Sequence, residues 1–370
     1  MQKKDSKTNI LQPNPLGIYI HWPFCRSKCP YCDFFSSAKK CSDEDALIEQ
    51  YIQDLQHYRP LNETYKVKSI FFGGGTPSLI KPQNIEKIIR TITNLWSCAP
   101  YLEISLEANP NSHQPHLFQD LKTAGINRLS LGVQALNEQD LRFLGRTHTL
   151  NEALKSIEEI KQTFDNHSID LIYARPHQQL SDWEKELKQA TSFGLKHISL
   201  YQLTIEEGTL FARRHIQPLK EEKATQMYTF TQEYLNRHGY PQYEVSNFGH
   251  PCIHNLGYWR GEDYIGIGAG AHGRLHIQNQ IFATTHPHQL EKLTPQERAE
   301  ELIIMGLRIF EGIDKARFKH QCGLNFADTI NQKNLQQLIA QNLVIDTPSH
   351  LRPTSEGMLV LNKIIEELCC

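Results

Sequence analysis

Residues 17–34 read Gly17-Ile-Tyr-Ile-His21-Trp-Pro-Phe-Cys25-Arg-Ser-Lys-Cys29-Pro-Tyr-Cys32-Asp-Phe34. Gly17 to His21 is a short apolar run of strand character. The residues after it contain prolines, show no periodicity and carry three cysteines spaced Cys-x3-Cys-x2-Cys, which is a loop. Outward from this stretch the same alternation of strand and helix recurs. Strands are expected over Val67–Phe72, Leu102–Leu106, Arg128–Gly132, Ser168–Ile172 and His197–Gln202. Between them the periodicity predicts helices over Asp43–Gln56 (capped by Ser42 or Asp43), Pro82–Trp96, Pro115–Thr123 (ended by Gly125), Glu138–Leu144, Asn151–Thr163 and Ser181–Phe193. Six β-then-α units in a row predict an α/β fold with parallel strands and helices outside them. Six units, fewer than the eight of a closed barrel, predict a partial (β/α)6 barrel, open on one side, with its chemistry at the C-terminal strand ends.

The rest of the chain reads differently. A helix near Glu221–Arg237 leads into Tyr243–Gly273, rich in Gly, His and aromatic residues and poor in helical period. From Pro295 onward helices are expected over Gln296–Phe310, Asp314–His320, Asn331–Asn342 and Ser355–Leu368, with strand-like pieces at Val344 and Leu351. This is a small, mainly helical, winged-helix-like C-terminal domain. The expected organisation is an N-terminal arm over 1–16, the barrel over 17–240, a connecting segment over 241–294 and the C-terminal domain over 295–370. Winged helices often bind DNA, but 295–370 carries eight basic against ten acidic side chains, which argues against it. Covering the open side of the barrel is the alternative.

Composition bounds the function. The chain has 370 residues, 39% apolar and 22% charged, with a formal charge of −2, so neither nucleic acid nor disorder is indicated. No apolar run is long enough to span a membrane, and the N-terminus lacks a secretory h-region, so a cytoplasmic protein is expected. Peripheral contact with membrane-bound partners stays open. Nine cysteines in a reducing compartment will not form a disulfide framework.

The loops after the strands hold the candidate chemistry. Cys25, Cys29 and Cys32 suit three corners of an iron–sulfur cluster, leaving one iron for a small molecule. A zinc site with His21 or Cys41 as fourth ligand is the alternative. Gly73-Gly74-Gly75-Thr76-Pro77 comes directly after the second strand and lets backbone approach a ligand. Glu107, Gln134 and Arg146, Asp170, and Tyr201 with Gln202 follow or end the later strands. Polar groups at the same end of so many strands point to one shared site.

This constellation resembles the radical S-adenosylmethionine (SAM) superfamily. YIHWPFC, GGGTP, EANP, NRLSLGVQ, DLIYARP and HNLGYW narrow the resemblance to oxygen-independent coproporphyrinogen III oxidase and its relatives, over nearly the whole chain. The resemblance implies a [4Fe–4S] cluster on Cys25, Cys29 and Cys32. It also implies SAM contacts from Tyr19, Tyr31, Gly74, Gly75, Thr76, Glu107, Gln134, Arg146 and Asp170. Reduction of the cluster would cleave SAM to methionine and a 5′-deoxyadenosyl radical, with a low-potential electron donor as partner.

Two departures separate this chain from the oxidase. Phe34 stands where the oxidase typically has a fourth cysteine, and the first strand begins near Gly17 without the oxidase's longer extension. Both match the HemW-type haem chaperone branch, which implies haem as ligand and apo-haem proteins as acceptors, without coproporphyrinogen oxidation; the oxidase itself and a radical SAM enzyme acting on another small molecule are the alternatives. In that branch His254-Asn255-Leu-Gly-Tyr258-Trp259 is associated with haem, making His254 the candidate ligand and Cys252 a second. A core role for this motif is the alternative. The family usually has Gly-Leu-Pro where this chain has Ala174-Arg175-Pro176. Arg175 is expected to put a charge beside the SAM site and to pair with a carboxylate of haem, SAM or Glu206.

Overall fold

The structure is a computed structural model that describes residues 14–61, 65–110 and 116–369. Most of the expected N-terminal arm lies outside the described residues, as do Pro115, the expected start of the third helix, and Cys370. Strands β1 (Pro15–Trp22), β2 (Lys66–Gly74), β3 (Ser97–Ala108), β4 (Arg128–Gln134), β5 (Asn166–Tyr173) and β6 (His197–Gln202) lie side by side in chain order and pair in parallel. The helices between them begin on residues suited to the task. Asp43 accepts from the Ala46 N–H, and Thr149 with Glu152 forms a reciprocal cap. The helix Pro82–Leu95 buries Ile85, Ile88, Ile89 and Ile92, one helical stripe laid on the sheet. Truncating any of these to Ala would cost about 2–5 kcal/mol.

The segment read as poor in helical period, Tyr243–Gly273, carries short strands and one short helix, Ile253–Trp259. β7 (Asn247–Gly249) pairs antiparallel with β6, and β8 (Asp263–Ile267) pairs in parallel with β1. β9 (His272–Ile277), β10 (Gln280–Thr285) and β11 (Gln289–Lys292) continue outward from β8 as an antiparallel meander. The described sheet is eleven-stranded and linear in order, so the barrel is partial.

A second core begins at Ala299 and runs to Leu368, separate from the barrel core. It holds a three-stranded sheet of β12 (Ile313–Asp314), β13 (Val344–Asp346) and β14 (His350–Pro353) among helices. The expected last helix is two, Ser355–Leu359 and Leu361–Cys369. This unit touches both ends of the barrel. The Val245 N–H donates to Arg308 O (3.2 Å) on the β6–β7 side. On the β8 side Arg298 Nη2 donates to Gly261 O (2.5 Å), and Gln321 O lies 3.0 Å from His276 Nε2.

Candidate functional site

A cavity of about 360 Å³ opens at the C-terminal ends of the parallel strands. Cys25, Cys29 and Cys32 line it, together with Tyr31, Gly74, Gly75, Thr76, Glu107, Gln134, Arg146 and Asp170. Tyr201 and Gln202 from the end of β6 line it as well. Residues from six strand ends thus share one space, as the barrel rule requires.

The cysteine loop is held by backbone. Cys25 N–H donates to Ser37 O (2.9 Å), Ser37 N–H to Pro23 O (2.8 Å) and Cys32 N–H to Cys29 O (3.1 Å). The glycine loop braces it from behind: Gly75 N–H donates to Trp22 O (2.6 Å) and Thr76 N–H to Phe24 O (2.9 Å). A Cβ on Gly75 would stand 2.6 Å from that Phe24 oxygen, so only glycine lets the two loops lie this close. The loop thus brings its backbone to the cavity with these N–H groups engaged inside the protein. The Gly75 and Thr76 donors serve the cysteine loop, and Gly74 N–H donates to Glu107 Oε2 (3.3 Å).

The electrostatics are those of a cofactor cradle. Burial holds the Cys32 thiol above its ordinary pKa, so ligation must displace its proton. Arg146 supplies a nearby cation, donating from Nη1 to Cys29 Sγ (3.2 Å) and from Nη2 to Gly132 O (3.0 Å) and to Asn109 Oδ1. Its Nε is buried with no hydrogen-bond partner among the described residues. A buried guanidinium resting on thiol, amide and carbonyl groups suits an anionic thiolate cluster in its place. Opposite it, burial and then the charge of Asp170 push the Glu107 carboxyl up to about 8. Burial also raises Asp170, whose Oδ1 accepts from Ser130 Oγ (2.9 Å).

Four sequence candidates stand elsewhere. Tyr19 lies in the barrel interior with its hydroxyl 3.0 Å from His21 Nδ1, and it does not line the cavity. His21 Nε2 is 2.8 Å from Phe35 O, so both of its nitrogens are engaged, which disfavours it as a zinc ligand. His254 sits on the helix Ile253–Trp259, buried near the N-terminal halves of the strands. Its Nδ1 is 2.8 Å from Ser69 Oγ and its Nε2 2.7 Å from the Tyr258 hydroxyl. Burial, then the charges of Lys68 and Arg128, push its pKa down to about 3. Cys252 is fully buried, its Sγ donating to Glu103 Oε1 (3.3 Å), and burial pushes the thiol up to about 12. Neither residue, as placed, offers iron a free lone pair at a surface.

Arg175 also departs from expectation. It does not reach the cavity or Glu206; it is buried and paired with Glu186 and Asp140. Two functional positions carry no strong mark in the sequence. Asn109 lines the cavity and holds Arg146, and Glu103 accepts from the Ile253 and His254 N–H groups. The Asn of the EANP stretch is a usable signal for Asn109. Nothing local marks Glu103.

The chain has extensive likeness to known proteins. Residues 19–190 match the model of the Radical SAM superfamily, and residues 293–360 that of the HemN C-terminal domain. The chain is 34% identical to the heme chaperone HemW of Haemophilus influenzae, over 95% of this chain and 97% of that protein. It is also 34% identical to the mitochondrial radical S-adenosyl methionine domain-containing protein 1 of Danio rerio, over 94% of this chain and 86% of that one. The structure of Escherichia coli coproporphyrinogen III oxidase, HemN, is similar in fold. The TM-score is 0.79, with 21% identity, over 96% of this chain and 90% of that chain.

Proposed function

Because the chain belongs to the radical SAM superfamily, in the family of the haem chaperone HemW, we propose that it binds haem and passes it to apo-haem proteins. The observation that carries this is identity of about one third to HemW relatives across nearly the full length of both chains. Cys25, Cys29 and Cys32 would hold a [4Fe–4S] cluster, and the shared cavity would hold SAM. When bound, the cluster supplies an electron that can cleave SAM, and a low-potential donor must replace it. This chain's residues do the rest. Glu107 and Asp170 match the positive ammonium and sulfonium of SAM, Arg146 offsets thiolate charge, and the glycine loop keeps the cysteine loop in place. Tyr19, which does not line the cavity, would act on SAM only through its neighbours His21 and Gly73.

Phe34 lines the cavity mouth and is 57% exposed, so no fourth thiol stands there. Haem ligation by His254 would require its bonds to Ser69 and Tyr258 to open, and we assign it a supporting role beneath the cavity. No helix among the described residues is long and apolar enough to cross a membrane. We place the work in the cytoplasm, with membrane-bound acceptors met by peripheral contact.

The test is a coproporphyrinogen III assay on anaerobically reconstituted protein with SAM and reductant. We expect no vinyl product, and none after Phe34→Cys, because substrate placement depends on more than one residue. Steady decarboxylation by the unmodified protein would replace this function with the oxidase.

A further inference from the structure

Ala174-Arg175 comes directly after β5. Ala174 is buried with φ 56°, the left-handed region that disfavours any residue with a Cβ. Such a conformation persists only where its surroundings hold it. Arg175 is 1% exposed and provides the hold. Its Nη1 donates to Ile172 O (2.6 Å), its Nη2 to Glu186 Oε2 (2.5 Å), and Nη2 lies 3.0 Å from Asp140 Oδ2. Its backbone N–H donates to Gln178 Oε1 (3.2 Å).

Glu186, also buried, accepts from the backbone N–H of Leu136 (2.6 Å). Leu136 lies two residues beyond Gln134, which lines the cavity and is itself left-handed, φ 73°. Asp140 belongs to the helix Glu138–Phe143, which delivers the chain to Arg146 on Cys29. One guanidinium therefore joins the end of β5, the loop after β4 and the helix that leads to Arg146.

We propose that Arg175, with Glu186, is a positioning pair of this chain: it sets Gln134 and Arg146 at the cavity and holds Ala174 in its left-handed turn. This rests on SAM occupying the cavity. The experiment compares wild type, Arg175→Met, Glu186→Gln, Ala174→Gly and the Ala174→Gly/Arg175→Met double variant, all reconstituted to equal iron content. It measures SAM affinity by equilibrium dialysis, the change SAM makes in the EPR spectrum of the reduced cluster, and the thermal midpoint. Arg175→Met should weaken SAM about ten-fold and alter the EPR change, and Ala174→Gly in the same chain should recover at least about three-fold. Glu186→Gln, which keeps an acceptor for Leu136, should fold and show a smaller loss in the same direction. Wild-type SAM affinity in folded Arg175→Met, or no recovery with glycine at 174, overturns the proposal. If wild type itself binds no SAM, the cavity assignment fails. The coupling of Ala174→Gly to Arg175→Met in thermal midpoint then decides the turn-holding half alone, and additivity there overturns it.

Discussion

The Glu107 carboxyl is the residue whose chemistry the cavity changes most plainly. With its pKa near 8, raised by burial and by Asp170, it is mostly protonated at neutral pH in the free protein. A cationic ligand beside it favours the ionised form, so SAM affinity should rise with pH and level off above about 8. Glu107→Gln should flatten that profile and weaken SAM by about ten-fold, roughly one charge-assisted hydrogen bond. Equilibrium dialysis over this range checks it, and an unchanged slope in the Gln variant would remove Glu107 from the site. Gly75→Val makes a different demand. Its Cβ would collide with the Phe24 carbonyl, so iron loading should fall along with SAM binding. Most of the cavity residues could be read from sequence because they lie in or just beyond the C-terminal half of a predicted strand. The partners of Arg175 could not be, since Glu186 and Asp140 reach it only through packing of two helices that the sequence places on either side.

Among the elements, the cysteine loop and the helix Ile253–Trp259 make separable forecasts. Anaerobic reconstitution should give about four irons per chain, and Ala at Cys25, Cys29 or Cys32 should abolish the cluster. The same change at Cys98, Cys322 or Cys369, none of which lines the cavity, should leave iron unchanged. Stoichiometric zinc with no Fe–S absorption would contradict this. His254→Ala should leave Ser69 and Tyr258 without their shared partner and cost about 2–4 kcal/mol, read as a lower thermal midpoint, with the haem spectrum unmoved. A shifted Soret band in a protein of unchanged stability would instead make His254 a ligand. The pH dependence has a definite sign. The folded pKa near 3 lies below the ordinary 6.5, so the neutral His254 contributes stability above 6.5 that is lost progressively as pH falls toward 3. The His-Asn-x-x-Tyr-Trp motif is visible in sequence, but its position is not. It depends on the next segment returning to pair with β1 across more than two hundred residues, and no local period records that pairing. The outer meander is hidden for a related reason: β11 is exposed throughout and shows no apolar alternation.

For the whole molecule, the six-unit alternation announces the barrel because a parallel sheet covered by helices imposes two periods on its sequence, and these are visible along Gly17–Gln202. The C-terminal unit is legible as helices, but its ties to Val245 and Gly261 run through backbone carbonyls that any sequence possesses and so leave no mark. The most direct measurement is an anaerobic titration of the reconstituted protein with haem, followed by its Soret band and by size exclusion, with and without SAM. A haem chaperone retains haem through the column, at a saturable stoichiometry, with no turnover required. Haem that elutes free at every ratio, from protein whose cluster and fold are intact, would contradict haem carriage by this chain.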